Sequence, residues 1–123
     1  MNRTFVFLAS ILAGLSVAAG AFGAHALGGT LAPNLLNDFE TAARYQMYHA
    51  LALLVIGLLG DRLSPRLSQV AGWLFVAGIA FFSGSLYLLA LTGVRIFGAI
   101  TPIGGVAFLA GWVVLAWAVV RGQ

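Results

Sequence analysis

Apolar residues along this chain neither alternate nor keep to a narrow helical stripe. They run in four blocks, over residues 4–26, about 41–60, about 70–91 and 102–120. A helix needs about 20 predominantly apolar residues to cross the hydrocarbon of a bilayer, and each block is close to that length. Arg44, at the start of the second block, is the charge that intrudes. Between the blocks lie residues 27–40, 61–69 and 92–101. They carry Gly28-Gly29 and Pro33-Asn34, then Asp61, Ser64 and Pro65, then Gly93 and Gly98. Glycine and proline punctuate regular structure, so these are the turns. The pattern predicts an all-α protein, a single membrane domain over 1–123. It is an integral membrane bundle of four transmembrane helices in antiparallel up-down order.

Local signals suggest where the helices begin. Thr101-Pro102 reads as an N-cap followed by proline at the first helical position. Asn37 or Asp38 is the candidate cap of the second helix, with Glu40 in its first turn. Leu35, Leu36 and Phe39 make the approach to that helix partly apolar, as in a segment lying along the interface before it turns inward. Arg3, the first apolar run and Ala24-His25-Ala26 also resemble a secretory signal with its cleavage site. That run is about 20 residues, longer than the roughly 7–15 of a signal core, so it is read as a span.

Composition agrees with a membrane solvent. The chain is 62% hydrophobic with a mean hydropathy of +1.05, and 7% of its residues are charged, against roughly 25% in a soluble domain. Four spans leave no room for a separate soluble domain. All six cations are arginines, and the net charge is +3. They are scattered singly, which argues against nucleic acid as a partner. Their distribution instead gives an orientation. Arg3, Arg62, Arg66 and Arg121 fall on the side of the termini, and Arg44 and Arg95 on the other. The positive-inside bias then places both termini in the cytoplasm, as in a multi-pass protein of the bacterial cytoplasmic (inner) membrane. There is no cysteine, which excludes disulfides, thiolate metal sites and iron–sulfur clusters.

Small residues recur at helical spacing: Gly14, Ala18 and Ala21 in the first run, Ala80 and Gly84 in the third, Ala107 and Gly111 in the fourth. Such spacing lets helix backbones approach closely, and tight packing within the bundle is the simplest use for it. A homo-oligomer seam, or contact with other membrane proteins, is the alternative.

Polar side chains gather in the outward-facing half of the four spans. His25 ends the first. Glu40, Arg44, Tyr45, Gln46, Tyr48 and His49 open the second. Ser83, Ser85, Tyr87 and Thr92 close the third, and Arg95 and Thr101 flank the fourth. Glu40 and Arg44 are spaced i,i+4 in the favourable order for an ion pair. With Tyr45 and Tyr48 they suit an anchor at headgroup level. His49 lies about nine residues into the expected span, roughly 13 Å deep at 1.5 Å per residue. An ionisable group at that depth faces protein or a water-filled cavity. It is either a neutral histidine bonded to a serine or carbonyl of a neighbouring helix, or a ligand or proton-transfer group. His25, Arg44, Tyr45, His49, Ser83, Ser85 and Tyr87 are therefore the candidate binding residues. Haem between His25 and His49 is disfavoured by their different depths, so no cofactor or metal is expected. Hydrolase, zinc-protease and nucleotide-binding motifs are absent from the sequence. Ser83-Gly84-Ser85 reads as helix packing rather than a nucleophile.

Four segments together resemble a known family. They are Gly20-Ala21-Phe22-Gly23-Ala24-His25-Ala26-Leu27, Tyr45-Gln46 with Tyr48-His49-Ala50-Leu51, Phe82-Ser83-Gly84-Ser85-Leu86-Tyr87, and Ile100-Thr101-Pro102-Ile103-Gly104-Gly105 with Gly111-Trp112. The chain is similar over essentially its whole length to the small bacterial membrane proteins of the "domain of unknown function 423" group, relatives of eukaryotic transmembrane protein 256. The resemblance implies a small multi-span inner-membrane protein and brings no established activity and no catalytic residues.

Three functions are open on these grounds. One is a structural or assembly partner in the membrane, with no catalysis. The second is binding or transport of a lipid, quinone or small solute in an outward-half pocket among the first three helices. The third is a membrane enzyme using His49, which would need a nucleophile, metal or cofactor that the sequence does not supply.

Overall fold

A computed structural model describes residues 1–122. Four helices account for nearly all of them: α1 Arg3–Leu27, α2 Pro33–Arg62, α3 Pro65–Thr92 and α4 Ile96–Arg121. Each is long and apolar enough to cross a membrane.

Asn2 caps α1, its Oδ1 accepting from the Phe5 N–H at 3.1 Å. The helix ends in a π turn, Gly23–Leu27. The second helix starts at Pro33, several residues before the expected caps Asn37 and Asp38, both of which are inside it. Proline at the first helical position has its φ preset and no N–H left to satisfy, and Ala32 before it is extended. That boundary outcompetes the weaker polar signals downstream. The stretch before Thr41 is thus part of α2 and does not lie apart along the interface. It packs on the bundle, with Leu36, Leu31 and Tyr87 against a small core of Leu27, Phe39 and Ala90.

Thr101-Pro102 is likewise not a helix start, since α4 begins at Ile96 with Pro102 inside it. The turn is made earlier. Gly93 takes the left-handed φ of 71° that a side chain would resist, and the Thr92 hydroxyl accepts from the Val94 N–H at 3.2 Å. Those two features reverse the chain within three residues, so the breakers at Gly98 and Pro102 are not needed as a turn.

The helices pack in chain order, α1 along α2, α2 along α3 and α3 along α4. The main core holds Phe5, Leu53, Ile56 and Phe75, with Phe108 closing it from α4. Close approaches rest on glycines. A Cβ on Gly104 would strike the backbone of Phe82, at 2.6 Å from its Cα, and one on Gly111 would meet the Phe75 ring at 2.7 Å. The expected stripe on α1 is not used this way. Gly14, Ala18 and Ala21 are exposed, and nothing lies within 4 Å of a Cβ built on Gly14. The first helix meets the bundle through Phe5, Ala9 and Ser16 instead.

Candidate functional site

Polar side chains inside the bundle form a set of bonds between helices. At one level of α2, a single helical turn is tied to both neighbours. From α1, Ser16 Oγ donates to the Ala43 carbonyl at 2.6 Å. From α3, Ser83 Oγ donates to the Ala42 carbonyl at 2.8 Å. Gln46 then reaches both ways, donating from Nε2 to the Leu12 carbonyl of α1 at 2.8 Å and accepting at Oε1 from the Tyr87 hydroxyl at 2.7 Å. Ser83 is fully enclosed, and Ser16, Gln46 and Ser85 are buried. The π turn Ile79–Ser83 immediately precedes this stretch of α3 and ends on Ser83 itself.

The lacing continues to α4. Ser85 Oγ and Thr101 Oγ1 are 2.6 Å apart, and Thr101 also donates to the Phe97 carbonyl at 3.1 Å. This is the hydroxyl expected to cap a helix. Inside α4 it bonds back one turn and across to α3.

His49 ties α4 to α2. Trp112 Nε1 donates to His49 Nε2 at 3.0 Å, and His49 Nδ1 lies 2.8 Å from the Tyr45 carbonyl. Indole N–H and backbone carbonyl are unambiguous donor and acceptor. Together they require Nε2 to accept and Nδ1 to donate, which is the neutral Nδ1–H tautomer. The ring stacks on Phe108 at 3.6 Å between centroids and 8° between planes. Phe75 and Trp112 close other sides. His49 therefore faces α3 and α4, not α1. A lipid-facing trough of about 450 Å³ runs beside it between α2 and α4, along Tyr45, Phe82, Gly105, Leu109 and Trp112.

The residues singled out from sequence divide into three sets. His49, Ser83, Ser85 and Tyr87 are in the lacing. Tyr45 borders it, its ring stacked near His49 and tilted against Phe82. Arg44 and His25 are outside it. His25 is exposed on the π turn that ends α1. Arg44 is exposed too and makes no ion pair with Glu40 among the described residues; its Nη2 donates to Thr41 Oγ1 at 3.1 Å. Nor is Arg44 at a helix entrance. Because α2 begins at Pro33, Arg44 is eleven residues into it, about 16 Å along the axis. Among the described residues, no three His, Asp or Glu side chains converge as metal ligands do.

Sequence reasoning passed over Ser16 and Trp112 as site residues, noted Gln46 without assigning it a bond, and read Thr101 as a helix cap. Ser16 carried a usable signal, being a hydroxyl in the middle of an apolar run. Trp112 carried one as well, since an indole N–H inside a membrane protein needs an acceptor.

The same chain matches the family model described as "Protein of unknown function (DUF423)" over residues 19–105. It belongs to that family. The matched segment of this DUF423 protein holds Gln46, His49, Ser83, Ser85, Tyr87 and Thr101, whereas Ser16 and Trp112 lie to either side. Relatives extend over almost the whole chain. A UPF0382 membrane protein of Staphylococcus epidermidis is 53% identical over 119 residues, 97% of each chain. One from Staphylococcus saprophyticus is 51% identical over 113 residues, 92% of this chain and 93% of that one. The UPF0382 membrane protein YwdK of Bacillus subtilis is 48% identical over 120 residues, 97% of this chain and 98% of that one. No solved structure matches. The chain is thus a membrane protein of an uncharacterised family.

Proposed function

We propose that this DUF423 protein is a structural or assembly partner in the bacterial cytoplasmic membrane, and that its inner polar residues hold its own helices together. One observation carries the reading. Among the described residues, no buried side-chain nitrogen or oxygen lacks a hydrogen-bond partner. A binding pocket keeps convergent polar groups free for its ligand, and here they are spent on neighbouring helices. Unsatisfied polar groups in hydrocarbon cost several kcal/mol each, roughly, which is a sufficient reason for a closed network in a chain this small.

The proposed topology is up-down and antiparallel with both termini cytoplasmic. Its support is the pairing of levels. Asn2 N–H bonds the Gly57 carbonyl at one end of the α1–α2 pair, and Phe22 meets Phe39 at the other. Gly104 lies against Phe82 and Gly111 against Phe75 along α3 and α4. The arginine distribution supplies the direction. A C-terminal alkaline phosphatase fusion should be inactive and a C-terminal fluorescent fusion bright. The opposite pair of signals would reverse the orientation.

The structural role is tested at His49. His49→Phe keeps a stackable ring and leaves the Trp112 N–H unpaired. It should lower stability by about 1 kcal/mol, within the range for interhelical bonds in membranes, read as a small fall in Tm in detergent. Proteins that co-purify with the wild type should still co-purify. Native mass spectrometry showing a stoichiometric non-lipid ligand on the wild type, lost in His49→Phe, would favour the binding reading and overturn this one.

A further inference from the structure

The helix most enclosed by its neighbours keeps one bare face. On α2, Asn37, Arg44, Tyr48, Leu51, Val55 and Leu58 are all exposed, and Glu40 is half-buried beside them. With Glu40 included, successive members are three or four residues apart, the spacing of one helix face. Bare apolar residues are ordinary in a lipid-facing protein. A bare arginine at this level is not.

The level follows from the lacing. Ala43 shares a bond with Ser16, thirteen residues up α1 from Arg3 and so about 20 Å from that end. Ala42 shares one with Ser83, nine residues before the end of α3 at Thr92 and so about 14 Å below it. Arg44 follows directly and sits well inside the bundle's height. Charged groups within a span pair with one another or face protein. Within the described residues Arg44 has Thr41 Oγ1 alone. Glu40 is one turn above on the same face, and the two are not paired within the chain.

We propose that this face is the interface for a second copy of the same chain. The inference rests on the assembly reading and names its partner. An acid and a base one turn apart are self-complementary about a two-fold axis parallel to α2. The Arg44 side chain of each copy extends toward the partner's Glu40, one helical turn, or about 6 Å, above it. Tyr48, Leu51 and Val55 then pack across the axis below the charges. Both copies insert the same way, so the axis follows the membrane normal. The charge pattern selects this occupant over phospholipid. A lipid phosphate would satisfy Arg44 but would be repelled by Glu40, whereas a second copy satisfies both.

The chain has no cysteine, so single introduced thiols report the contact. Leu51→Cys should form a disulfide-linked dimer in native membranes on mild oxidation. Val113→Cys, on the exposed side of α4, should not. In the Leu51→Cys background, Arg44→Glu makes the face wholly acidic and Glu40→Arg makes it wholly basic. Facing like charges cost several kcal/mol, so each variant expressed alone should lose cross-linked dimer by about tenfold or more. Co-expressed with different tags, the two should cross-link to each other at about the wild-type level, which no change within one chain can explain. Each variant's monodispersity in detergent checks that it has folded. A Leu51→Cys protein that stays monomeric, cross-links to a protein of another mass, or cross-links equally well in both charge variants alone would overturn the proposal. None of those results bears on the stability effect of His49→Phe, so the assembly reading stands or falls separately.

Discussion

Gly104→Leu should abolish the folded bundle, and Gly104→Ala should already weaken it severely. The backbone of α4 crosses α3 at this point with no side chain between them. A Cβ would meet the amide nitrogen of Phe82 and come to 2.6 Å from its Cα and Cβ. Overpacking a core costs about 1–3 kcal/mol when side chains can shift. Here the obstacle is main chain, so Gly104→Ala should cost at least about 3 kcal/mol, the upper end of that range. The neighbouring Ser85–Thr101 bond depends on the same approach, so separating the helices would also break it, leaving each hydroxyl only the carbonyl one turn back in its own helix. Gly14→Ala is the matched control. Nothing lies within 4 Å of its added Cβ, and glycine in a helix interior is worse than alanine by about 1 kcal/mol, so that variant should be neutral or slightly more stable. The comparison is read by fluorescence-detected size exclusion and by Tm in detergent. Equal Tm values for Gly104→Ala and Gly14→Ala would mean that α3 and α4 do not approach as described.

That contrast also shows what the sequence could convey. Both glycines lie in apolar helices, and Gly14 had the more regular small-residue neighbours, in Ala18 and Ala21. The hydrophobic runs located the spans because lipid demands length and apolarity from each helix in isolation. Which glycine meets a neighbour depends on the rotation of one helix against another, and a uniformly apolar helix carries little information about its rotation. α4 shows this most plainly: its outward residues, such as Val106, Leu109, Val113 and Trp117, are as apolar as the inward Phe108 and Ala118. Helix starts failed for a related reason. Pro33 and Asn37 were competing local signals, and Thr101-Pro102 imitated a boundary that Gly93 had already supplied. The polar residues were the legible part of the candidate site. Their gathering in one half of the spans was visible, and Ser83, Ser85, Tyr87 and His49 do bond across helices. Their partners were not visible: Ser83 bonds the main-chain carbonyl of Ala42, which has no sequence signature, and Thr101, Gln46 and Trp112 become the partners of Ser85, Tyr87 and His49 only once the helices' rotations are set.

Gln46→Leu and Tyr87→Phe should each destabilise the protein, and the double variant should cost less than their sum. Gln46 Oε1 is the acceptor of the Tyr87 hydroxyl. Removing the amide leaves a phenol without its partner in an apolar surround of Phe39, Phe22 and Leu91. Removing the hydroxyl leaves a buried amide oxygen unmet. A stranded polar group costs about 1–3 kcal/mol in aqueous proteins, while measured interhelical bonds in membranes average about 0.6 and reach about 1.7 kcal/mol. Gln46 is 5% exposed, so a replacement partner from water or lipid is remote, and each single change should cost about 1–2 kcal/mol, toward the upper membrane value. In the double variant neither group is stranded. What remains is the lost Leu12 bond, weak because that carbonyl lies within a helix that already uses it. A coupling of about 1 kcal/mol is then expected from the double-mutant cycle in unfolding titrations. The cycle separates structure from binding. If this pair exists to lace α2 to α3, removing both halves together restores most of the stability and nothing else is lost. If it exists to hold a ligand in the groove of about 440 Å³ that Gln46 and Tyr87 line with Leu15, Phe22, Phe39 and Leu91, the double variant is the worst of the three at retaining it. Additive destabilisation with loss of a bound molecule in native mass spectra would therefore count against a lacing role for Gln46 and Tyr87.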